Sequence, residues 1–157
     1  MKITLNLFIT VIITSSIIFA GKAKLSDQGG SKSDINLSIE SDEDIYGIQF
    51  DIRYNKAQIT LSKEGILSKI QDIKIYSRFN ENGIVRVLMF GKPGKKIFDV
   101  NTNNITDIID VQFTSENQFK GTSIVELFNF TLAGRAGIEI DLITHSTYMF
   151  KISFKAP

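Results

Sequence analysis

Residues 99–110, "DVNTNNITDIID", place hard oxygen donors at a spacing with its own chemistry. Asp99, Asn101, Asn103, Asp107 and Asp110 fall at positions 1, 3, 5, 9 and 12 of a calcium-binding loop. Asn104 stands where glycine is usual, and asparagine tolerates the left-handed backbone that this position requires. Two features oppose a wrapped ion. Thr106 takes the place of the usual apolar anchor, with Ile105 one residue early, and the tail "IIDVQF" reads as a strand. The competing reading is a long polar loop whose Asn and Asp residues make turns. Calcium is the one cofactor raised by these residues; no other is expected.

Other reactive residues are sparse. The chain has 157 residues, no cysteine and one histidine. A zinc site of the usual multi-His or Cys type cannot be built from that set. A Ser-His-Asp or Cys-His relay would have to run through His145 alone, which lies in the polar turn "ITHSTY". Glu40, Asp42, Glu43 and Asp44 form an acidic run, but glycoside chemistry needs two carboxylates facing across a cleft. A solvated loop is the simpler reading, and no enzymatic activity is expected. The formal net charge of +1 gives no electrostatic case for nucleic acid.

A third group suits recognition rather than catalysis. Two short runs, residues 73–79 and 83–90, meet through "NENG", a hairpin signal with glycine where positive φ is needed. Alternation sets Lys74, Tyr76 and Arg78 on one face of the first strand, and Arg86 and Leu88 on one face of the second. Asn80 and Asn82 lie in the turn. Arg and Tyr anchor interfaces because they combine area with directed hydrogen bonds. These seven residues are the candidate partner-binding set, against the plainer reading of an ordinary solvated sheet face.

The elements that would hold these residues share a period of two. "INLSIE", "IYGIQFDIRY", "IIDVQFT", "SIVELFNFTLAG", "IEIDL" and "YMFKISF" all alternate apolar and polar side chains. In "IYGIQFDIRY" the residues Tyr46, Ile48, Phe50, Ile52 and Tyr54 face a core. Gln49, Asp51 and Arg53 then read as a polar row on the sheet opposite the binding face. Residues 58–70 read as a short strand and a turn at Gly65. About nine short strands with polar turns, and no amphipathic helix, give an all-β antiparallel sandwich of two sheets.

The first residues read differently. Lys2 precedes an uncharged apolar run of about 17 residues, at the lower edge of a membrane span. Small residues close it, as in a secretory signal peptide cut after Ala23 or Ala20. The expected organisation is a signal peptide at 1–23, a flexible leader at 24–34 and one sandwich domain at 35–157. The destination is extracellular, cell-surface or periplasmic, with no membrane attachment after cleavage.

"INLSIESDEDIYGIQFDIRYN", the hairpin "FNENGIVRVLMFG", the strand "DIIDVQFT" and "SIVELFNFTLAGRAGIEIDL" together resemble a cohesin domain. The resemblance spans roughly residues 35–155 and rests on packing motifs. It implies a jelly-roll sandwich without catalytic activity that holds a calcium-loaded dockerin, mostly in polysaccharide-degrading assemblies. The family's binding face is one sheet that includes the hairpin strands. Carbohydrate-binding modules share much of this pattern, so a polysaccharide partner, with or without calcium, stands as the alternative. A structural subunit that pairs through its edge strands is a third reading. The lack of tryptophan, and the inward alternation of most aromatics with Tyr76 and Tyr148 as exceptions, weigh against a stacking platform for sugars.

Overall fold

Alternating burial governs nearly every element of the computed structural model, which describes residues 21–27, 33–102 and 104–154. Ten strands run in order: β1 (Lys22–Asp27), β2 (Asp34–Ser41), β3 (Gly47–Tyr54), β4 (Ile59–Ser68), β5 (Ile73–Phe79), β6 (Ile84–Gly91), β7 (Thr106–Ser115), β8 (Gly121–Ala133), β9 (Glu139–Leu142) and β10 (Thr147–Phe154). Short 3-10 turns occur at Val100–Thr102 and Arg135–Gly137.

The pairing order is β4-β7-β2-β1-β9-β8-β3-β6-β5, and β10 pairs with β8 on the edge away from β3, further along from β9. All pairs are antiparallel except β1 with β9. One layer holds β4, β7, β2 and β1; the other holds β10, β8, β3, β6 and β5. β9 touches both and joins the layers along one side. Between them lie Ile35, Leu37 and Ile39 of β2, Ile48, Phe50 and Ile52 of β3, Val87 and Met89 of β6, and Ile109 and Val111 of β7, all fully buried or nearly so. Tyr54 of β3 meets Phe113 of β7 edge-on across this space, with ring centroids 5.9 Å apart. Without disulfides, this apolar burial carries the stability, at about 25 cal/mol per Å² removed from water.

Three sequence expectations change. Residues 24–27 are not a leader but the core of β1, because Ala23 and Leu25 supply two more buried side chains. Their backbone is sealed by β2 and β9. Residues 28–32 of that leader, and residues 1–20 of the signal reading, lie outside the described residues. Gly65 does not end a strand. It sits inside β4 at a register shift, where a Cβ would come within 2.6 Å of the Gln112 carbonyl, so glycine permits close backbone approach. Tyr148 turns inward and packs edge-on against Phe130, leaving Tyr76 as the exposed aromatic of the two.

The start of β1 is tightly held. The Asp42 amide and the Ser41 hydroxyl donate to the Lys22 carbonyl, and the Ile143 amide donates to the Ala23 carbonyl. A protein beginning at Lys24 therefore loses these bonds and the buried Ala23 methyl. Its thermal midpoint is expected to fall by roughly 5 °C or more against one beginning at Gly21. Equal midpoints by calorimetry would show that β1 adds nothing to the sandwich.

Candidate protein-binding face

The hairpin forms as its sequence requires. β5 and β6 pair from Ile73 opposite Gly91 to Phe79 opposite Val85. Gly83 closes the turn at φ 70°, where a Cβ would also strike the Tyr54 carbonyl at 2.6 Å. Asn80 shapes the same turn from its side chain, with Oδ1 accepting from the Asn82 and Ile84 amides at 3.0 Å. Ile73, Val85, Val87 and Met89 point to the core, whereas Lys74, Tyr76, Arg78, Arg86 and Leu88 are exposed. Asn80 and Asn82 are exposed in the turn. The Tyr76 ring lies flat against Phe90, with centroids 5.2 Å apart and planes 2° apart. Tyr76 thus presents a held aromatic surface 54% exposed.

The row Gln49, Asp51 and Arg53 belongs to this same sheet, not to the opposite one. β3 pairs directly with β6, and Asp51 stands opposite Arg86. The sequence pattern fixed which face of β3 was polar, but only pairing says which strand lies beside it. Asp51 is 3% exposed. Its carboxylate accepts from Arg86 Nε at 2.8 Å and Nη2 at 2.9 Å, and from Asn129 Nδ2 at 3.0 Å. The Arg86 guanidinium bound to it holds its carboxyl below the ordinary carboxylate range, against the opposing effect of burial.

Asn129 reaches Asp51 because β8 carries an extra residue there. Thr131 pairs with Gln49 and Phe128 with Asp51, so three steps on β8 face two on β3. Asn129 takes φ 54°, a left-handed conformation that asparagine tolerates. Beyond it, Arg53 pairs with Glu126 and lies 4.4 Å above the Phe128 ring. The face continues across β8 and β10 with Ile124 at 44% exposure and Met149 at 71%. These β8 and β10 residues were not singled out from sequence. The polar Asn129 inside the apolar run "LFNFTL" was the one visible sign of the bulge.

The residues of the calcium-loop pattern are dispersed among other duties. Asp99 accepts from the Asn101 amide and side chain and pairs with Lys96 at 3.0 Å. Lys96 also bridges to Asp44 at 2.9 Å. Asp107 and Asp110 lie in β7, where Asp107 accepts from the Ser38 hydroxyl at 2.6 Å and Asp110 pairs with Lys69 at 2.6 Å. Asn103 lies outside the described residues. Among the described residues, no group of three or more His, Cys, Asp or Glu side chains is placed to hold a metal ion. Asp44 of the acidic run is tied to Lys96 and to the Val100 amide, and Asp42 accepts from the Lys22 amide. His145 is exposed in its turn.

No protein-family model matches the chain, and no curated protein matches it by sequence. Solved structures do. The chain is similar to the cohesin module of a family 33 glycoside hydrolase from Clostridium perfringens, 16% identical, over 87% of this chain and 97% of that one, with a TM-score of 0.61. It is similar to the third ScaC cohesin of Acetivibrio cellulolyticus, solved in complex with the ScaB dockerin. That match is 14% identical over 87% and 99% of the two chains, with a TM-score of 0.58. A non-cellulosomal cohesin from Archaeoglobus fulgidus matches at 14% identity over 86% and 92%, with a TM-score of 0.53. The chain therefore has the cohesin fold, an all-β jelly-roll sandwich, as its residues led one to expect.

The Asp51 site makes a pH-dependent contribution. Its folded-state pKa lies below the ordinary value of about 4, so the stabilisation is complete above that ordinary value. It is lost as pH falls through the lower, folded-state value. Asp51→Asn is expected to cost about 2 kcal/mol at neutral pH, with the gap to wild type closing in urea titrations as pH falls below the ordinary carboxylate range. A gap that stays constant into strong acid would show that the ionised pair is not its source.

Proposed function

We propose that this chain is a non-catalytic cohesin-type module, exported from the cell, that captures a dockerin-like protein partner on the face formed by β10, β8, β3, β6 and β5. The observation that carries the reading is the composition of that face. Tyr76, Leu88, Ile124 and Met149 stand exposed on a continuous sheet whose central carboxylate is fully hydrogen-bonded. Apolar anchors on a rigid scaffold, ringed by polar groups, suit a protein interface. The cohesin fold supports the dockerin assignment, since the ScaC neighbour is seen with a dockerin bound. Export rests on the signal-like pattern of the first residues, and a place in polysaccharide degradation rests on the family resemblance alone.

A panel of purified, calcium-loaded dockerins tested by calorimetry examines this reading. At least one member is expected to bind with a micromolar or tighter dissociation constant. Leu88→Asp should weaken that complex at least about tenfold without lowering the thermal midpoint, because Leu88 faces solvent. Absence of binding across the panel, or binding indifferent to Leu88→Asp, would overturn the assignment.

A further inference from the structure

Arg78 and Arg86 stand directly opposite each other on β5 and β6. Like charges in that relation repel unless an anion intervenes. Asp51 answers only one of them. Its two oxygens already accept three hydrogen bonds from Arg86 and Asn129. Arg78 has no side-chain partner among the described residues.

The two arginines open onto a cavity of about 250 Å³ lined by Asp51, Arg78, Asn80, Ile84 and Arg86. Its side-chain hydrogen-bonding capacity is weighted toward donors. The Arg78 guanidinium donates, and so does the Nη1 of Arg86 left over by Asp51. The Asn80 Oδ1 is taken up by two backbone amides, and its Nδ2 can only donate. Glu81, the acid in the hairpin turn, is not among the lining residues. A pocket with two guanidinium groups and one carboxylate that already accepts three hydrogen bonds favours an acceptor-only ligand, and guanidinium forks match the planar geometry of a carboxylate.

The wider face has the same sign. Lys74, Arg78, Arg86, Arg53 and Lys151 face outward against Asp51 and Glu126, and both acids are already paired. The exposed Tyr76 and Leu88 on the same strands give an incoming chain apolar surface beside the pocket. A free small anion would have no use for that surface.

We propose that the Arg78–Arg86–Asn80 pocket receives the carboxylate of an Asp or Glu side chain presented by the protein partner. This rests on the binding-face reading above, and it adds that the partner surface is acidic where it meets the β5–β6 hairpin. Arg86 arrives already oriented by Asp51, and Arg78 completes the clamp when the carboxylate enters.

The first arm of the test uses no protein partner. Capped glutamate, N-acetyl-glutamate amide, is titrated into ¹⁵N-labelled protein while the Arg Nε–H and Asn side-chain signals are followed. Saturable shifts at Arg78, Arg86 and Asn80 are expected, with none from capped glutamine. Arg78→Gln should abolish them and Lys74→Gln should leave them. No saturable response to capped glutamate, an equal response to capped glutamine, or a stronger response to inorganic phosphate would overturn the proposal, the last marking a free-anion site. The second arm uses a dockerin that binds in the panel. Arg78→Gln should weaken it about tenfold, with partial recovery in Arg78→Lys, and the exposed position keeps both variants folded. Glutamate binding without any dockerin binding retires the dockerin assignment and leaves the pocket standing. Dockerin binding indifferent to Arg78→Gln retires the pocket and leaves the assignment.

Discussion

A charged carboxylate in the middle of a central strand is the constraint around which the outer sheet is organised. Asp51 is almost completely withdrawn from water, and an unpaired ion there would be far too costly to keep. Its three donors come from the strands on either side, Arg86 on β6 and Asn129 on β8. Satisfying it therefore fixes the register of β6, β3 and β8 together, since a slip of one residue would send each side chain to the other face. The bulge at Asn129 follows from the same need, because it aims an amide at a carboxylate that regular pairing would miss.

That register determines what the sheet shows to a partner. Tyr76 and Leu88 are paired across the hairpin and Arg78 is set opposite Arg86. Because the Asp51 charge is paired with Arg86, the positive charge of Arg78 is left over. The structural role of Asp51 and the proposed recognition role of Arg78 thus fall in one sheet, on the strands either side of β6. The far end of the molecule works differently. There Lys96 bridges Asp44 and Asp99; the bond to Asp44, and then that to Asp99, raises the Lys96 ammonium above its ordinary value, and Lys96 in turn lowers the Asp99 carboxyl. This brace holds the segment after β6 against the approach to β3, where Ile97 and Phe98 enter the core.

Much of the sandwich was legible because period-two alternation depends only on neighbours along the chain. "IVRVLMF" and, from Ile48 onward, "IYGIQFDIRY" disclosed their buried faces in that way, whereas just ahead of β3 the buried side chain is Ile45 and not the expected Tyr46. Strand adjacency was not legible in the same manner: Asp51, Arg53 and Gln49 were correctly polar but assigned to the wrong sheet, since nothing local distinguishes a β6 neighbour from a β2 neighbour. β1 was missed because "KAKLSD" buries only the small Ala23 and the single Leu25, a pattern too short to stand out from a polar leader. Of the outer face, the exposure of the hairpin residues was legible from alternation and turn chemistry. The contribution of Ile124 and Met149 depended on β10 pairing with β8, which is a long-range fact.

The central claim is that the β10-β8-β3-β6-β5 face, and not the opposite sheet or the loop ends, meets the protein partner. Cross-saturation NMR on labelled protein bound to an unlabelled dockerin tests it directly. The account predicts that saturation reaches Tyr76, Arg78, Leu88 and Met149 and spares β4, β7 and β2. Transfer centred on β4 and β7, or on the loops around Tyr46 and Gly134, would contradict it.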